Sequence, residues 1–242
     1  MVASKRIGMI TPSSNTMVEP LTSAMTAHLL DDLSVHYARI PVTRITLDAG
    51  GIGQFERDVM LGAARLLADA LVDVICWNGT SGAWRGIAAD EAICAAITAE
   101  TGIPATTGTL AQIEAFRAHG IRKYALAVPY LEEVRDLTIK TYDGAGFTAV
   151  NDAYLGISHN FAYAELSLDA LRDLARKADH PDAEAVVIIC TNLAAARIVE
   201  ELEQELRKPV HDSLVVSLWH PLKMIGWQQP IPGWGRLMRE FP

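Results

Sequence analysis

The sequence predicts an α/β protein with two similar, Rossmann-like lobes, each built on a parallel sheet, and a ligand site in the cleft between them. Short apolar runs alternate with amphipathic segments along the whole chain. The same order of elements occurs twice, which indicates a distant internal duplication. Turns rich in polar residues follow the central apolar runs, and parallel α/β sheets bind ligands at such carboxyl ends.

The first half is predicted to alternate four strands with four helices. Its first strand ends in a turn that begins at Pro12, and its third strand runs into Gly79. A Gly-rich segment, 50–53, is predicted to be a mobile loop. Strands are expected at 7–12, 35–39, 74–78 and 104–107, and helices at 18–30, 56–71, 83–100 and 109–119.

The second half repeats this order. Its first strand also ends at a proline, Pro129, and its third strand ends at Cys190. Strands are expected at 124–128, 148–155, 186–189 and 210–213, and helices at 132–144, 168–178, 193–206 and 214–224.

The repeat places the boundary between the lobes near Gly108. One lobe is predicted to span 1–108 and the other 109–213. The tail, 214–242, contains three tryptophans that would otherwise be exposed, so it is expected to pack back on the first lobe.

Cys190 is the most informative residue. It follows a buried strand, and Thr191 and Asn192 behind it are predicted to cap a helix. A helix N-terminus lowers the pKa of a thiol, whereas burial raises it, and the sequence leaves this competition open. The alternative is a structural cysteine that packs as a small apolar residue.

The duplication pairs Cys190 with Gly79 in the first half. The other cysteines, Cys76 within a strand and Cys94 within a helix, are interpreted as core residues. Three scattered cysteines fit neither a disulfide framework nor a metal site, and they indicate a reducing compartment, the cytoplasm.

Composition excludes several functions. The chain has 242 residues, 50% of them hydrophobic, and a formal net charge of −8, which argues against nucleic-acid binding. No apolar stretch is long enough for a membrane span, and the N-terminus lacks the apolar region of a signal peptide. We expect a cytoplasmic protein that acts alone or as a homo-oligomer, without nucleic acid, membrane or metal.

Motifs in both halves carry a family resemblance. They include Gly8-Met9-Ile10 with Pro12, Gly79-Thr80-Ser81 with Trp84-Arg85-Gly86, Thr101 to Pro104, Pro129 to Val134, Leu155-Gly156-Ile157, Cys190, and Pro232 to Leu237. In this order the chain resembles the aspartate/glutamate racemase superfamily, in the branch of arylmalonate decarboxylase and maleate cis-trans isomerase. Racemases and isomerases of this group use two cysteines, whereas the decarboxylases have Gly at the first position, as Gly79 is here.

The resemblance implies a cofactor-free decarboxylation of a substituted malonate or related small dicarboxylic acid. Hydrogen-bond donors would hold an enediolate, and Cys190 would protonate it. The predicted substrate-binding residues are Pro12, Ser14, Asn15, Gly79, Thr80, Ser81, Tyr130, Thr191 and Asn192. Several have plainer interpretations: Thr80 and Ser81 as helix caps, Ser14 and Asn15 as a turn, and Tyr130 as an ordinary aromatic at a helix start.

Three departures from the decarboxylase pattern bear on the substrate. The turn from Pro12 to Thr16 is closer to that of maleate isomerases. Cys190 is followed by Thr191-Asn192, where the decarboxylases have a pair of glycines, and the loop at 158–161 carries His159, where an apolar pocket is expected. His159 is interpreted either as a surface residue or as a contact to a polar substrate group. These changes predict a smaller or more polar substrate than an arylmalonate.

Three functional interpretations remain. The first is the decarboxylase. The second is a maleate isomerase or an aspartate/glutamate-type racemase, which Gly79 disfavours because the partner cysteine is missing. The third is a carboxylate-binding protein without catalysis.

Overall fold

Two four-stranded parallel sheets form the centre of the molecule. The computed structural model describes residues 4–241. The strands of the first sheet are β1 (Lys5–Pro12), β2 (Leu33–Ile40), β3 (Val74–Trp77) and β4 (Ala105–Thr107), and those of the second are β5 (Lys123–Val128), β6 (Thr148–Tyr154), β7 (Ala185–Ile188) and β8 (Val210–Asp212). The order is β2-β1-β3-β4 in one and β6-β5-β7-β8 in the other. The predicted fold class and its duplication are confirmed.

Helices cover the sheets and connect their strands, as parallel pairing requires. In the first half they are α1 (Val18–Thr26), α2 (Ala49–Gly53), α3 (Arg57–Asp69), α4 (Gly82–Arg85), α5 (Ile87–Thr101) and α6 (Gly108–Ala118). In the second half they are α7 (Glu132–Gly144), α8 (Asn160–Ala164), α9 (Leu168–Ala178), α10 (Val199–Leu206), α11 (Ser213–Met224) and α12 (Arg236–Glu240). Within residues 4–241, none of these helices has the length and apolar character needed to cross a bilayer.

Strand register shows how closely the two halves correspond. Ile10 pairs with Trp77 in the first sheet, and Ala127 pairs with Ile188 in the second. Both pairs lie two residues before the proline that ends the first strand of their half. Trp77 is therefore equivalent to Ile188, and Gly79, two residues later, is equivalent to Cys190, as the sequence predicted.

The central strands are buried because both their faces are covered. Every residue of β3 and β7 is buried. Both strands consist mainly of β-branched and other apolar side chains, which suit a strand packed on two faces. This buried framework holds the segments that follow β3 and β7 in fixed positions.

The segment after Cys190 differs from the prediction. Residues 194–198 form a 3-10 helix, and α10 begins only at Val199. Thr191 and Asn192 cap neither, because their side chains bond to groups of other segments, described below. The expected helix N-terminus beneath the thiol was wrong.

Two other predicted boundaries differ. The helix expected at 83–100 is broken at Gly86, whose φ of +98° ends α4 and starts α5. The Gly-rich segment forms the short helix α2, in which Asp48 accepts a hydrogen bond from Gly51 N at 2.7 Å. Its mobility stays a prediction.

The tail joins the two sheets. α11 follows β8 of the second sheet but packs against α1, α6, β3 and β4 of the first half. Trp219 and Trp227 are buried, and Trp234 is half-buried. Beyond them, Arg236 N donates to Glu203 in α10 at 2.8 Å. The lobe boundary near Gly108 stays a prediction.

Gly235 fixes the position of the tail. Its φ is +89°, and a Cβ atom there would lie 2.3 Å from Cγ1 of the buried Val199. Gly235→Ala is therefore expected to lower the free energy of unfolding by about 3 kcal/mol, through backbone strain and steric overlap. Gly233 has a φ of +94° with nothing within 4 Å, so Gly233→Ala carries the strain alone, about 1 kcal/mol. Urea unfolding of both variants checks this, and equal losses would contradict the overlap with Val199.

Candidate active site

A small cavity lies where the carboxyl ends of the two sheets approach each other. Its volume is about 20 Å³. It is lined by Pro12, Val42, Ile45, Phe55, Trp77, Gly79, Thr80, Ser81, Trp84, Tyr130, Asn160, Cys190 and Thr191. None of these lining residues carries a formal charge, so an acid bound here would be held by neutral hydrogen-bond donors.

The thiol of Cys190 lies in this cavity at the end of β7. Its sulfur accepts a hydrogen bond from Asn192 N at 3.4 Å. Burial raises the pKa of the Cys190 thiol to about 12, although hydrogen bonds from Asn192 N–H and the Tyr130 hydroxyl oppose the rise. Because burial outweighs these donors, the thiol is protonated at neutral pH and can serve as an acid.

Thr80 and Tyr130 bring one hydroxyl from each half to the same place. Thr80 Oγ1 and the Tyr130 hydroxyl are 2.7 Å apart and hydrogen-bonded. Burial raises the pKa of Tyr130 well above its ordinary value, so the phenol stays neutral and keeps its proton. The ring packs edge-on against Tyr163. The pair is thus a fixed set of neutral donors beside the thiol.

Ser81 has a partner other than the helix end. Its hydroxyl oxygen accepts a hydrogen bond from Trp77 Nε1 at 3.2 Å. It makes no side-chain cap to α4. The capping interpretation therefore does not hold for Ser81, which lines the cavity with its neighbour Thr80.

Thr191 and Asn192 connect the two halves of the molecule. Thr191 Oγ1 donates to Asn78 O at 3.0 Å and accepts from Asn15 Nδ2 at 3.3 Å. Asn192 is fully buried; its Oδ1 accepts from Thr16 N at 2.9 Å. Thr191 and Asn192 therefore each hold a segment of the first half in place.

Ser14 and Asn15 stand behind the cavity wall. Asn15 Oδ1 accepts from the backbone N–H groups of Met17 and Val18, both at 2.9 Å, and so caps α1. The Ser14 hydroxyl donates to Val42 O at 2.6 Å. Neither residue is among those lining the cavity, and neither is Asn192; the structure gives all three a positioning role.

Asn160, not His159, is the residue of its loop that reaches the cavity. His159 is exposed, with Nδ1 3.4 Å from Ser158 Oγ. Asn160 is buried, its Nδ2 donates to Ser14 Oγ at 2.8 Å, and its carbonyl accepts from Asn192 at 2.6 Å. Of the two interpretations of His159, the structure agrees with the surface residue, because the loop turns its side chain outward.

An apolar wall faces these polar groups. Sequence reasoning missed its members, Val42, Ile45, Phe55, Trp77 and Trp84. Phe55 packs edge-on against both tryptophans, with ring centroids 6.1 and 5.6 Å apart. The available signal was the alternation of strand residues, which puts Trp77 on the same face as Gly79.

A backbone contact between the halves closes the cavity on one side. Ile45 N donates to Ser158 O at 2.9 Å, and Asn160 N donates to Thr43 O at 3.1 Å. Gln54 supports the segment by accepting from Thr43 N at 2.7 Å. The apolar residue Ile45 is thereby held against the cavity.

Two further cysteines and a buried aspartate, Asp212, do not line the cavity. Cys76 and Cys94 are buried and free of disulfides, and neither lines the cavity. Asp212, at the end of β8, is fully buried; its Oδ1 accepts from Leu214 N and Val215 N, and its Oδ2 lacks a hydrogen-bond partner. Burial raises the pKa of Asp212 to about 7. Among the described residues, no His, Cys, Asp and Glu cluster could hold a metal ion.

Sequence comparisons identify relatives along nearly the whole chain. The profile of the arylmalonate decarboxylase family matches residues 7–238. Arylmalonate decarboxylase of Bordetella bronchiseptica is 27% identical over 238 residues, which cover 95% of this chain and 98% of that protein. Maleate isomerase of Geobacillus stearothermophilus is 25% identical over 246 residues, or 96% of each chain.

Solved structures agree. A mutant of arylmalonate decarboxylase in its liganded form matches with a TM-score of 0.86 at 26% identity, covering 98% of this chain and 100% of that one. A mutant of Nocardia farcinica maleate cis-trans isomerase, with a covalently bound succinylcysteine intermediate, matches with a TM-score of 0.91 at 21% identity, covering 98% and 99%. At 21% identity, the similarity to the isomerase structure is evidence for the fold alone. The relatives are enzymes of two classes, lyases and isomerases.

Proposed function

Because the chain belongs to the arylmalonate decarboxylase family, as its motifs predicted, we propose that it removes carbon dioxide from a substituted malonate or a related small dicarboxylic acid. The reaction needs no cofactor, and Cys190 supplies the proton. One observation carries the proposal: among the described residues, Cys190 supplies the only thiol that lines the cavity, and the equivalent position in the other half is Gly79. Its pKa of about 12 keeps this thiol protonated.

The polar and apolar walls of the cavity bind different carboxylates of the substrate. The retained carboxylate accepts hydrogen bonds from Thr80, Tyr130 and nearby backbone N–H groups. The departing carboxylate faces the apolar side, near Val42 and Ile45, where loss of its charge as carbon dioxide is favoured because its hydration is lost.

The proposed reaction needs no oxidant or reductant. The bond between the α-carbon and the departing carboxylate breaks, and its electron pair moves into the retained carboxylate as an enediolate. The S–H bond of Cys190 then breaks, and the proton joins the α-carbon. The thiolate recovers a proton from water, since its pKa lies far above neutral pH. A single acid protonates a single face and gives a single enantiomer.

Proton NMR in heavy water, with chelator present, tests the proposal. The panel contains 2-methyl-2-phenylmalonate, smaller disubstituted malonates, maleate and aspartate. We expect a malonate to lose carbon dioxide and to gain one deuteron at its α-carbon, with one enantiomer formed. Cys94→Ala should behave as the wild type, because Cys94 lies outside the cavity. Binding of diacids without turnover would contradict the proposal and favour a carboxylate-binding protein.

Maleate isomerisation is the second candidate. It is favoured by the polar residues Asn160 and Thr191, which line the cavity and suit a second carboxylate, and by the maleate isomerase relatives. Thiolate addition to the double bond, however, requires ionisation of Cys190 against its burial. Conversion of maleate to fumarate in the same assay would overturn the decarboxylase proposal in favour of this one.

The paired hydroxyls give a separate prediction. Thr80→Val and Tyr130→Phe are each expected to lower kcat about 10²-fold, because each removes a donor to the charge that develops on the retained carboxylate. Tyr124→Phe is the control. Tyr124 lies in β5, outside the cavity, and its buried hydroxyl has no hydrogen-bond partner. Steady-state decarboxylation rates decide, and a loss confined to KM would show that these hydroxyls bind substrate and transition state equally.

The compartment follows as part of the proposal. All three cysteines are free thiols. We place the enzyme in the reducing cytoplasm, where such thiols persist.

A further inference from the structure

Trp77 occupies the space beside Gly79. A Cβ atom on Gly79 would lie 2.2 Å from Trp77 Cζ2 and 2.5 Å from Cε2. Both distances are far inside van der Waals contact. The indole ring therefore leaves no room for any side chain at position 79.

The equivalent pair in the second half is different. Ile188 stands where Trp77 stands, and Cys190 stands where Gly79 stands. The smaller Ile188 accompanies a position that carries a thiol, whereas the larger Trp77 accompanies a position with no side chain. The two halves thus differ by a coupled pair of residues, not by the glycine alone.

The indole is held in this position from two sides. Trp77 Nε1 donates to Ser81 Oγ at 3.2 Å, and Phe55 packs edge-on against the ring. The side chain is 1% exposed. Rotation away from Gly79 would break the hydrogen bond and the aromatic contact together.

The ring also separates two spaces. An apolar groove of about 880 Å³ between α2, α3 and α5 shares Phe55, Trp77 and Ser81 with the cavity. On the cavity side, Trp77 lines the same space as Cys190. A second acid or base would have to stand there.

We propose that Trp77 is a specificity-determining residue that fills the position of a second acid–base group and so restricts the enzyme to protonation of one face. The inference rests on the proposed decarboxylase function. The glycine at 79 is then a consequence of the tryptophan, and a cysteine introduced there can work only when Trp77 is reduced in size.

An enzyme with acid–base groups on both faces of the α-carbon can interconvert enantiomers, which makes the role of Trp77 testable. A thiolate at position 79 would take the α-proton from a product acid and leave the electron pair in the enediolate. The Cys190 thiol would give its proton to the opposite face, so that the product changes hand with no net oxidation. The two sulfurs exchange protonation states, and water resets them.

The experiment compares Gly79→Cys in three backgrounds: wild type, Trp77→Ile and Trp84→Ile. Trp77→Ile copies the pair found in the second half. Trp84→Ile is the matched control, because Trp84 is also a buried cavity tryptophan but is not among the nearest neighbours of a Cβ at 79. Thermal unfolding and the interconversion of the enantiomers of 2-phenylpropionate are measured for each protein.

Gly79→Cys is expected to lower Tm by roughly 5 °C or more in the wild-type and Trp84→Ile backgrounds, from steric overlap. In the Trp77→Ile background the loss should be about 1 °C, and the double variant alone should interconvert the enantiomers. A stable Gly79→Cys that interconverts them with Trp77 in place would overturn the inference, as would equal rescue by Trp84→Ile or a folded Trp77 double variant without interconversion.

Failure of the proposed function has a different signature. If no malonate is decarboxylated by the wild type, the function is wrong. The dependence of Tm on the residue at 77 still decides whether the ring excludes a side chain at 79. An equal Tm loss in all three backgrounds overturns the steric coupling, whatever the activity.

Discussion

Cys190→Ala is expected to lower kcat for decarboxylation about 10³-fold and to abolish enantioselectivity. Removing the thiol leaves water as the only proton source for the enediolate, and a positioned general acid typically contributes 10²–10⁴-fold. Because the donors at Thr80 and Tyr130 remain, residual activity should persist and the product should be racemic. Chiral chromatography of product from 2-methyl-2-phenylmalonate measures both effects.

The pH profile gives an independent check on Cys190. Since burial raises the pKa of the thiol to about 12, the wild-type rate should not fall between pH 7 and pH 9 through loss of this proton. A thiol with an ordinary pKa would lose activity in that range. Retention of rate and handedness by Cys190→Ala, with a flat profile, would assign the proton to another group.

Asp212→Asn is expected to stabilise the protein at pH 8 and to destabilise it at pH 4. Burial raises the pKa of Asp212 from 3.8 to about 7. Below pH 3.8 the carboxyl is neutral in both folded and unfolded chains. As the pH rises to 7, the unfolded chain gains the free energy of ionisation first, so the folded state loses up to about 4 kcal/mol of stability.

The amide removes this loss but keeps the helix cap. Asn can still accept from Leu214 N and Val215 N through its oxygen. Its NH₂ takes the place of Oδ2, which has no hydrogen-bond partner, and this costs about 1–2 kcal/mol. The net gain at pH 8 is then about 2 kcal/mol.

Urea unfolding of both proteins between pH 4 and pH 8 measures the effect. The difference between wild type and variant isolates Asp212, because other buried groups titrate in both. Burial raises the pKa of Asp90 to about 6 and lowers that of His220 to about 4, so their contributions to stability change with pH in opposite directions. Each contribution cancels in the comparison because both proteins contain it. A difference that does not change with pH would mean that Asp212 is ionised in the folded protein.

The parts of the fold that the sequence predicted are those set by local pattern. Apolar runs of four to eight residues predicted the strands, and their repeated order predicted the equivalence of Gly79 and Cys190 that the strand register confirms. Helices such as Glu132–Gly144 matched the prediction because their periodicity and end signals agree.

The parts that failed depend on contacts between distant segments. Asn192 resembles a helix cap in sequence, but it bonds to Thr16 and Asn160, from both halves. Nothing local distinguishes these uses of an asparagine. In the same way, which of His159 and Asn160 faces inward depends on a loop anchored by Thr43. Trp77 was assigned to a strand correctly, but its overlap with position 79 is a matter of side-chain placement.

The repeated sheet order has a stereochemical consequence. By strand register, Thr80 of the first half is equivalent to Thr191 of the second, and both line the cavity. A malonate with two different substituents is prochiral, because its carboxylates are enantiotopic. A perfectly symmetric cavity would bind the two orientations equally. Discrimination between the carboxylates therefore rests on the differences between the two sides of the cavity, the apolar side with Val42 and Ile45 and the divergence of Gly79 from Cys190. Handedness is encoded in those differences and not in the fold.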